Sequence, residues 1–225
     1  MRVFDINEKL SHVSRERQRL MDILFGGALE EGDVSQVRSI TADILGNTRK
    51  CFDYAARDIV ESVIEYHGNV HFPFYFNQLK TDPWKQVVTS SKVAGEVITH
   101  LIESADKDVT IDQTLFKYSN PRLVNDLCIE DKHLQGLSAT WGPNKNLFAE
   151  MPGMRVMLPM DQLDSGIEIY SKESVVQRIV EAFKIDKTGD EVNNFCLMAE
   201  GAARFILSEI YSGIFSSPEA ISKQL

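Results

Sequence analysis

The chain has 225 residues, 43% of them apolar, 25% charged and 9% aromatic, the balance of a folded globular protein and not of a disordered or fibrous one. Its 24 Lys and Arg against 33 Asp and Glu leave a net charge of −9, which excludes a globally basic, phosphate-gripping surface and argues against a nucleic acid partner. Cys51, Cys128 and Cys196 are widely spaced and contain no Cys-x-x-Cys, which argues against a disulfide framework and a structural zinc site. No run approaches the roughly 18 apolar residues of a membrane span, and Met1 to Asp5 leads into charged sequence without an apolar signal core. A cytoplasmic protein without membrane contact is the expectation.

Asp5 and Glu8 form a capping-box-like pair, and Leu10, Val13, Leu20, Met21, Leu24 and Phe25 recur at mostly helical spacing, which predicts a helix from about Asn7 to Glu31. Gly32 ends it, and Asp33 is placed to cap a second helix from Val34 to about His67. At 1.5 Å per residue that helix would be about 50 Å long, with Gly46 the place for a bend. Ile40, Ile44, Phe52, Ala55, Ala56, Ile59, Val63 and Ile64 supply its apolar stripe. Val70 to Phe76 is aromatic and contains Pro73, so it reads as an extended or edge segment packing rings, with His71 a packed histidine. Asp82-Pro83-Trp84 reads as an N-cap with proline at the first helical position, followed by one or two helices to Ser104. A short helix is expected near Asp112 to Lys117. Asn120-Pro121 repeats the cap signature and opens a helix carrying Leu123, Leu127 and Leu134 to about Gly136.

From Ser138 to about Asp186 glycines and prolines punctuate short apolar runs, including Arg155 to Pro159 and Gly166 to Tyr170, with Asp164-Ser-Gly166 as a turn. Val175 to Ile185 fits strand or helix, with strand preferred. Asp190 is placed to cap a last helix through Phe215, and the tail after Ser216 is expected to fray. The fold class is therefore mainly α. One domain spans 1–225, an antiparallel bundle with two long N-terminal helices, a small antiparallel β insertion at about 138–186 and a C-terminal helix.

Glu130-Asp131-Lys132-His133 is the densest polar cluster on an amphipathic helix, and Asp126, Glu130 and His133 share a face at i, i+4 and i+7. Asp131, Lys132 and His133 are the binding candidates. A Glu-x-x-His pair can serve a di-iron bundle only with a second copy, which the sequence lacks, so no metal or cofactor is expected. Arg49 and Asp53, four apart, read first as a surface salt bridge worth a few tenths of a kcal/mol. Buried against the His133 helix, Arg49 would instead hold a carboxylate or phosphate bidentately. No G-x-S-x-G, G-x-x-x-x-G-K-[ST] or G-x-G-x-x-G occurs, Phe25-Gly26-Gly27 lying inside the first predicted helix. The cysteines read as small buried hydrophobes.

Several of these segments together resemble a widespread uncharacterised prokaryotic family. Arg49-Lys-Cys-Phe-Asp53-Tyr-Ala-Ala56 is similar to its R-x-x-L-D-Y-L-A helix, Phe72-Pro73 to its F-P segment, and Leu123 to Leu127 with Asp131-Lys132-His133 to its L-x-x-L…N-x-D-K-H-R helix. Asp164-Ser-Gly166 resembles its turn before a short strand, and the order agrees over residues 35–215. Glu130 and Leu134 depart from the pattern, which often has Asn and Arg there. More loosely, the helical hairpins resemble the HEPN superfamily of prokaryotic toxins, defence proteins and RNases. That resemblance implies a homodimer, and in catalytic members an Arg-x(4–6)-His motif acting on RNA at the dimer interface. Here Arg2 to His12, Arg57 to His67 and Arg122 to His133 leave nine, nine and ten intervening residues, so the linear motif is absent. The resulting expectation is a non-catalytic, homo-oligomeric interaction protein with a protein partner or small ligand, in bacterial or phage defence, counter-defence or toxin regulation. The alternative is a metal-independent HEPN-like RNase, with RNA as partner, His133 as general acid or base, Arg49 stabilising phosphorane-like charge and Asp53 orienting Arg49.

Overall fold

A computed structural model describes residues 1–25, 31–111, 114–134, 139–151, 154–159, 176–185 and 191–216, and over 25, 31–34, 130–134 and the strands it describes the backbone alone. The described part is mainly helical. Helix α1 spans Val3–Phe25 and α2 spans Glu31–Val63. Their contacts pair the start of one with the end of the other: Arg2 with Asp58, Lys9 with Asn47 and His12 with Asp43.

Helix α1 begins four residues earlier than its periodicity predicts. The Arg2 backbone N–H donates to Asp58 Oδ2 at 2.6 Å and its guanidinium to Oδ1 at 2.8 Å, while the Arg2 carbonyl accepts the first helical bond from Ile6. Asp5, read as half of a capping box, instead lies in the first turn, where a carboxylate complements the helix dipole. Helix α2 ends at Val63 and not near His67. Beyond that point Arg57 donates to the carbonyls of Gly68 and Tyr66, at 2.7 and 3.3 Å, and so gives the departing chain partners other than the helix.

The segment that follows is extended and turns its rings into the core, as expected. Phe72 meets Phe52 edge-on at 5.2 Å and lies 5.0 Å from Phe74, and Trp84 donates its indole N–H to the His71 carbonyl at 2.8 Å. His71 itself is a correction, because its side chain is 65% exposed while Val70, Phe72 and Phe74 point inward. A 3-10 turn, Phe76–Lys80, leads to α3, Trp84–Ser90, and α4, Lys92–Asp106. Pro83 is the N-cap of α3 and not its first residue. Ser91 is extended and accepts the Ala94 N–H at 3.3 Å, which separates α3 from α4. The short helix expected near Asp112 to Lys117 is not formed in the described residues. Ile111 and Thr114 sit in a turn closed by the Ile111 N–H to Phe116 carbonyl bond at 2.7 Å and the Thr110–Lys117 bridge.

Helix α5, Asn120–Leu134, starts where the Asn-Pro signature placed it. Beyond it the backbone is extended over β1, Ala139–Met151, β2, Met154–Pro159, and β3, Val176–Ile185, in the order β2-β1-β3. Gly136, the Asp164 to Tyr170 stretch, the Asp190 cap, Gly26-Gly27 and the tail after Ser216 lie outside the described residues. Helix α6, Val192–Ile210, continues into a π-helical turn, Tyr211–Phe215. Helix α2 contacts α1, α5 and α6 and serves two apolar clusters. Ile44 and Leu45 pack with Val13, Leu20, Leu127 and Phe195, while Phe52 and Ile59 pack with Phe72, Trp84, Ile98 and Ile206.

Candidate functional site

Arg49 and Asp53 stand one turn apart on α2, yet among the described residues they do not pair. Asp53 Oδ1 accepts the Phe72 backbone N–H at 3.2 Å and lies 3.4 Å from His71 Nδ1. Asp53 thus pins the aromatic segment to α2, and the salt bridge that the i, i+4 spacing suggests gives way to a contact 19 residues distant. Arg49 is only partly exposed, and its Nε is buried without a hydrogen-bond partner.

The facing helix uses its first two turns in the same structural way. Arg122 on α5 stacks over the Tyr75 ring at 4.6 Å, donates to the Phe74 carbonyl at 3.0 Å and pairs with Asp106 at 2.5 Å. Asp126 Oδ2 accepts the Tyr75 hydroxyl at 2.6 Å, and Oδ1 accepts the Asn125 amide at 3.3 Å. Burial, with the Asp126 carboxylate beside it, pushes the Tyr75 hydroxyl up to about 12, so it stays protonated and keeps donating. The side chains of Glu130, Asp131, Lys132 and His133 lie outside the described residues. Of the sequence-derived candidates, Arg49 and Asp53 are the two whose side chains are described.

Two buried charge clusters escaped the sequence reading. Glu200 on α6 accepts from the Ser14 hydroxyl, from Arg17 Nε at 2.8 Å and from Arg204 Nε at 3.0 Å. Arg204 also reaches the Ser14 hydroxyl at 2.8 Å and the Leu10 carbonyl at 3.0 Å. Burial pushes the Glu200 carboxyl up, but the Ser14, Arg17 and Arg204 hydrogen bonds outweigh it and hold the group below its ordinary value. Asp58 on α2 accepts from Arg2 and from the Tyr211 hydroxyl, the latter at 2.7 Å, and burial raises the Tyr211 pKa. The Arg204–Glu200 half was visible as an i, i+4 pair. Ser14, Arg17 and Tyr211 were not, because their partners lie 153 or more residues away.

Burial raises the thiols of Cys51 and Cys196 to about 12, which makes them inert hydrophobes, whereas Cys128 is only half-buried. A cavity of about 20 Å³ among Phe52, Phe72, Phe74, Leu101 and Ile102 has room for one water and no ligand. Among the described residues no group of three His, Cys, Asp or Glu is arranged to hold a metal ion, and no helix is long and apolar enough to cross a membrane. Compared with protein-family models, with curated proteins and with solved structures, the chain matches none.

Proposed function

We propose that the chain is a non-catalytic, homodimeric helical binding protein whose working face includes Arg49 on α2. One observation carries this reading: Asp53 is engaged by the Phe72 N–H and His71, and Arg49 keeps a buried donor that no described group accepts. A catalytic arrangement would want Asp53 orienting Arg49, whereas a binding protein needs no acid to orient its arginine. The buried charges Asp58 and Glu200 join α1, α2 and α6, while Glu209 uses Oε1 to accept the Tyr118 hydroxyl and keeps a buried Oε2 without a partner. For the second copy, the support is the apolar end of α1, where Met1 is 70% and Phe4 is 72% exposed and Val3 is also exposed. A role in defence, counter-defence or toxin regulation belongs to the same proposal and draws on the motif resemblance alone.

The test combines two measurements on the purified chain. Light scattering after size exclusion is expected to give the mass of two chains for wild type and of one for Phe4→Glu. Incubation of total RNA and tRNA with EDTA present is expected to leave both intact. Metal-independent cleavage that disappears in folded Arg49→Ala and His133→Ala would replace this reading with the HEPN-like RNase.

A further inference from the structure

We propose, resting on the reading of the chain as a homodimeric binding protein, that a second copy docks on the solvent-facing stripe of α1, antiparallel to it, with Glu8 of each chain meeting Arg15 of the other. Helix α1 turns Ile6, Leu10, Val13, Leu20 and Leu24 into the core. Two residues amount to about 200° around a helix, so the stripe offset by two from that set lies on the far side. Phe4, Glu8, Ser11, Arg15, Gln18 and Asp22 occupy it, and all six are exposed. Their spacing, alternately four and three residues, is that of a seam along which one helix packs on another.

The charges on this seam lack the partners that the other charges of the helix have. Lys9 is bonded to Asn47, His12 to Asp43 and Arg17 to Glu200, and Arg19 pairs with Glu16. Glu8 and Arg15 have no partner among the described residues. Two turns apart, about 10.5 Å along the axis, they also lie beyond the one-turn spacing at which they would pair with each other. Turned end for end about Ser11, two copies of the stripe bring Glu8 against Arg15 twice and set Phe4 on the turn that holds Gln18. A parallel pairing would instead put Glu8 against Glu8 and Arg15 against Arg15, so the charges fix the direction as well as the register.

Net charge selects the same helix. Copies of a chain with a charge of −9 repel one another, but α1 carries four basic and four acidic residues and is neutral. At its start the exposed Val3 and Phe4 add apolar area beside the charged pairs.

The test is size exclusion with light scattering, each full-length chain loaded at the concentration that just keeps wild type dimeric, and with circular dichroism to check folding. Glu8→Arg and Arg15→Glu change exposed side chains and are expected to fold as wild type. Each is expected to weaken dimerisation by at least about tenfold and to shift the mass toward one chain. Mixed one to one, the two variants again offer an acid and a base at each crossing, and the mass of two chains is expected to return. Wild-type dimerisation in either variant, or a mixture that stays monomeric, overturns this interface and leaves the homodimer to another face. A wild-type chain that runs at the mass of one removes the interface and the homodimer together.

Discussion

Glu200 and Arg49 are both charged side chains set into helix faces, and their surroundings are opposite. Glu200 is met by a hydroxyl and two guanidinium groups from α1 and α6, so its charge holds two helices together. Arg49 has a buried donor that none of the described residues accepts, although an acid stands one turn away. A charge that the fold saturates is part of the scaffold, and a buried donor left without an acceptor is a cost that the fold carries.

The contrast breaks most visibly at Glu200. Glu200→Gln strips the carboxylate from Arg17 and Arg204 and is expected to lower unfolding stability by about 2–3 kcal/mol in urea titrations, less than a fully buried ion pair because Arg204 is 44% exposed. The pH dependence sharpens this. Because the folded pKa of Glu200 lies below its ordinary 4.5, its contribution is fully present above that value and is lost as pH falls through the folded pKa. Stability curves of wild type and Glu200→Gln measured across the acid range should therefore converge; parallel curves would show that the carboxylate is not the clamp.

At the other end of α2, Tyr211→Phe removes one donor from Asp58 while Arg2 stays, and is expected to cost about 1 kcal/mol by the same titration. Two of the helical glycines, Gly201 and Gly46, give the smallest and most pointed contrast. A methyl at Gly201 overlaps the Phe116 ring, so Gly201→Ala should lose stability on balance, overpacking costing about 1–3 kcal/mol against about 1 regained in helix propensity. Gly46→Ala meets nothing and should gain about 0.5–1 kcal/mol, visible as a raised thermal midpoint. A loss at Gly46 would mean that the space there is already filled.

What the sequence made legible was the apolar pattern. Ile40, Ile44, Phe52, Ala55, Ala56 and Ile59 are buried as their spacing required, and Phe72 and Phe74 enter the core. Local signatures also held at Asn120. Helix ends were less legible, since α1 begins where Asp58 catches Arg2 and the chain past α2 is held by Arg57, both arrangements of tertiary origin. The exposure of His71 was not legible from alternation, because Pro73, the next odd position, is buried together with Phe72 and Phe74. At the site, the residue types Arg49 and Asp53 were legible and their relation was not. The i, i+4 rule weighs a local pair and knows nothing of the Phe72 N–H that competes for the same carboxylate.

The most direct test is urea unfolding of wild type, Glu200→Gln and Arg49→Ala. Glu200→Gln should lose about 2–3 kcal/mol, whereas Arg49→Ala should unfold within about 0.5 kcal/mol of wild type. An Arg49→Ala protein destabilised as much as Glu200→Gln would make Arg49 one more part of the scaffold and contradict the distinction between the two charges.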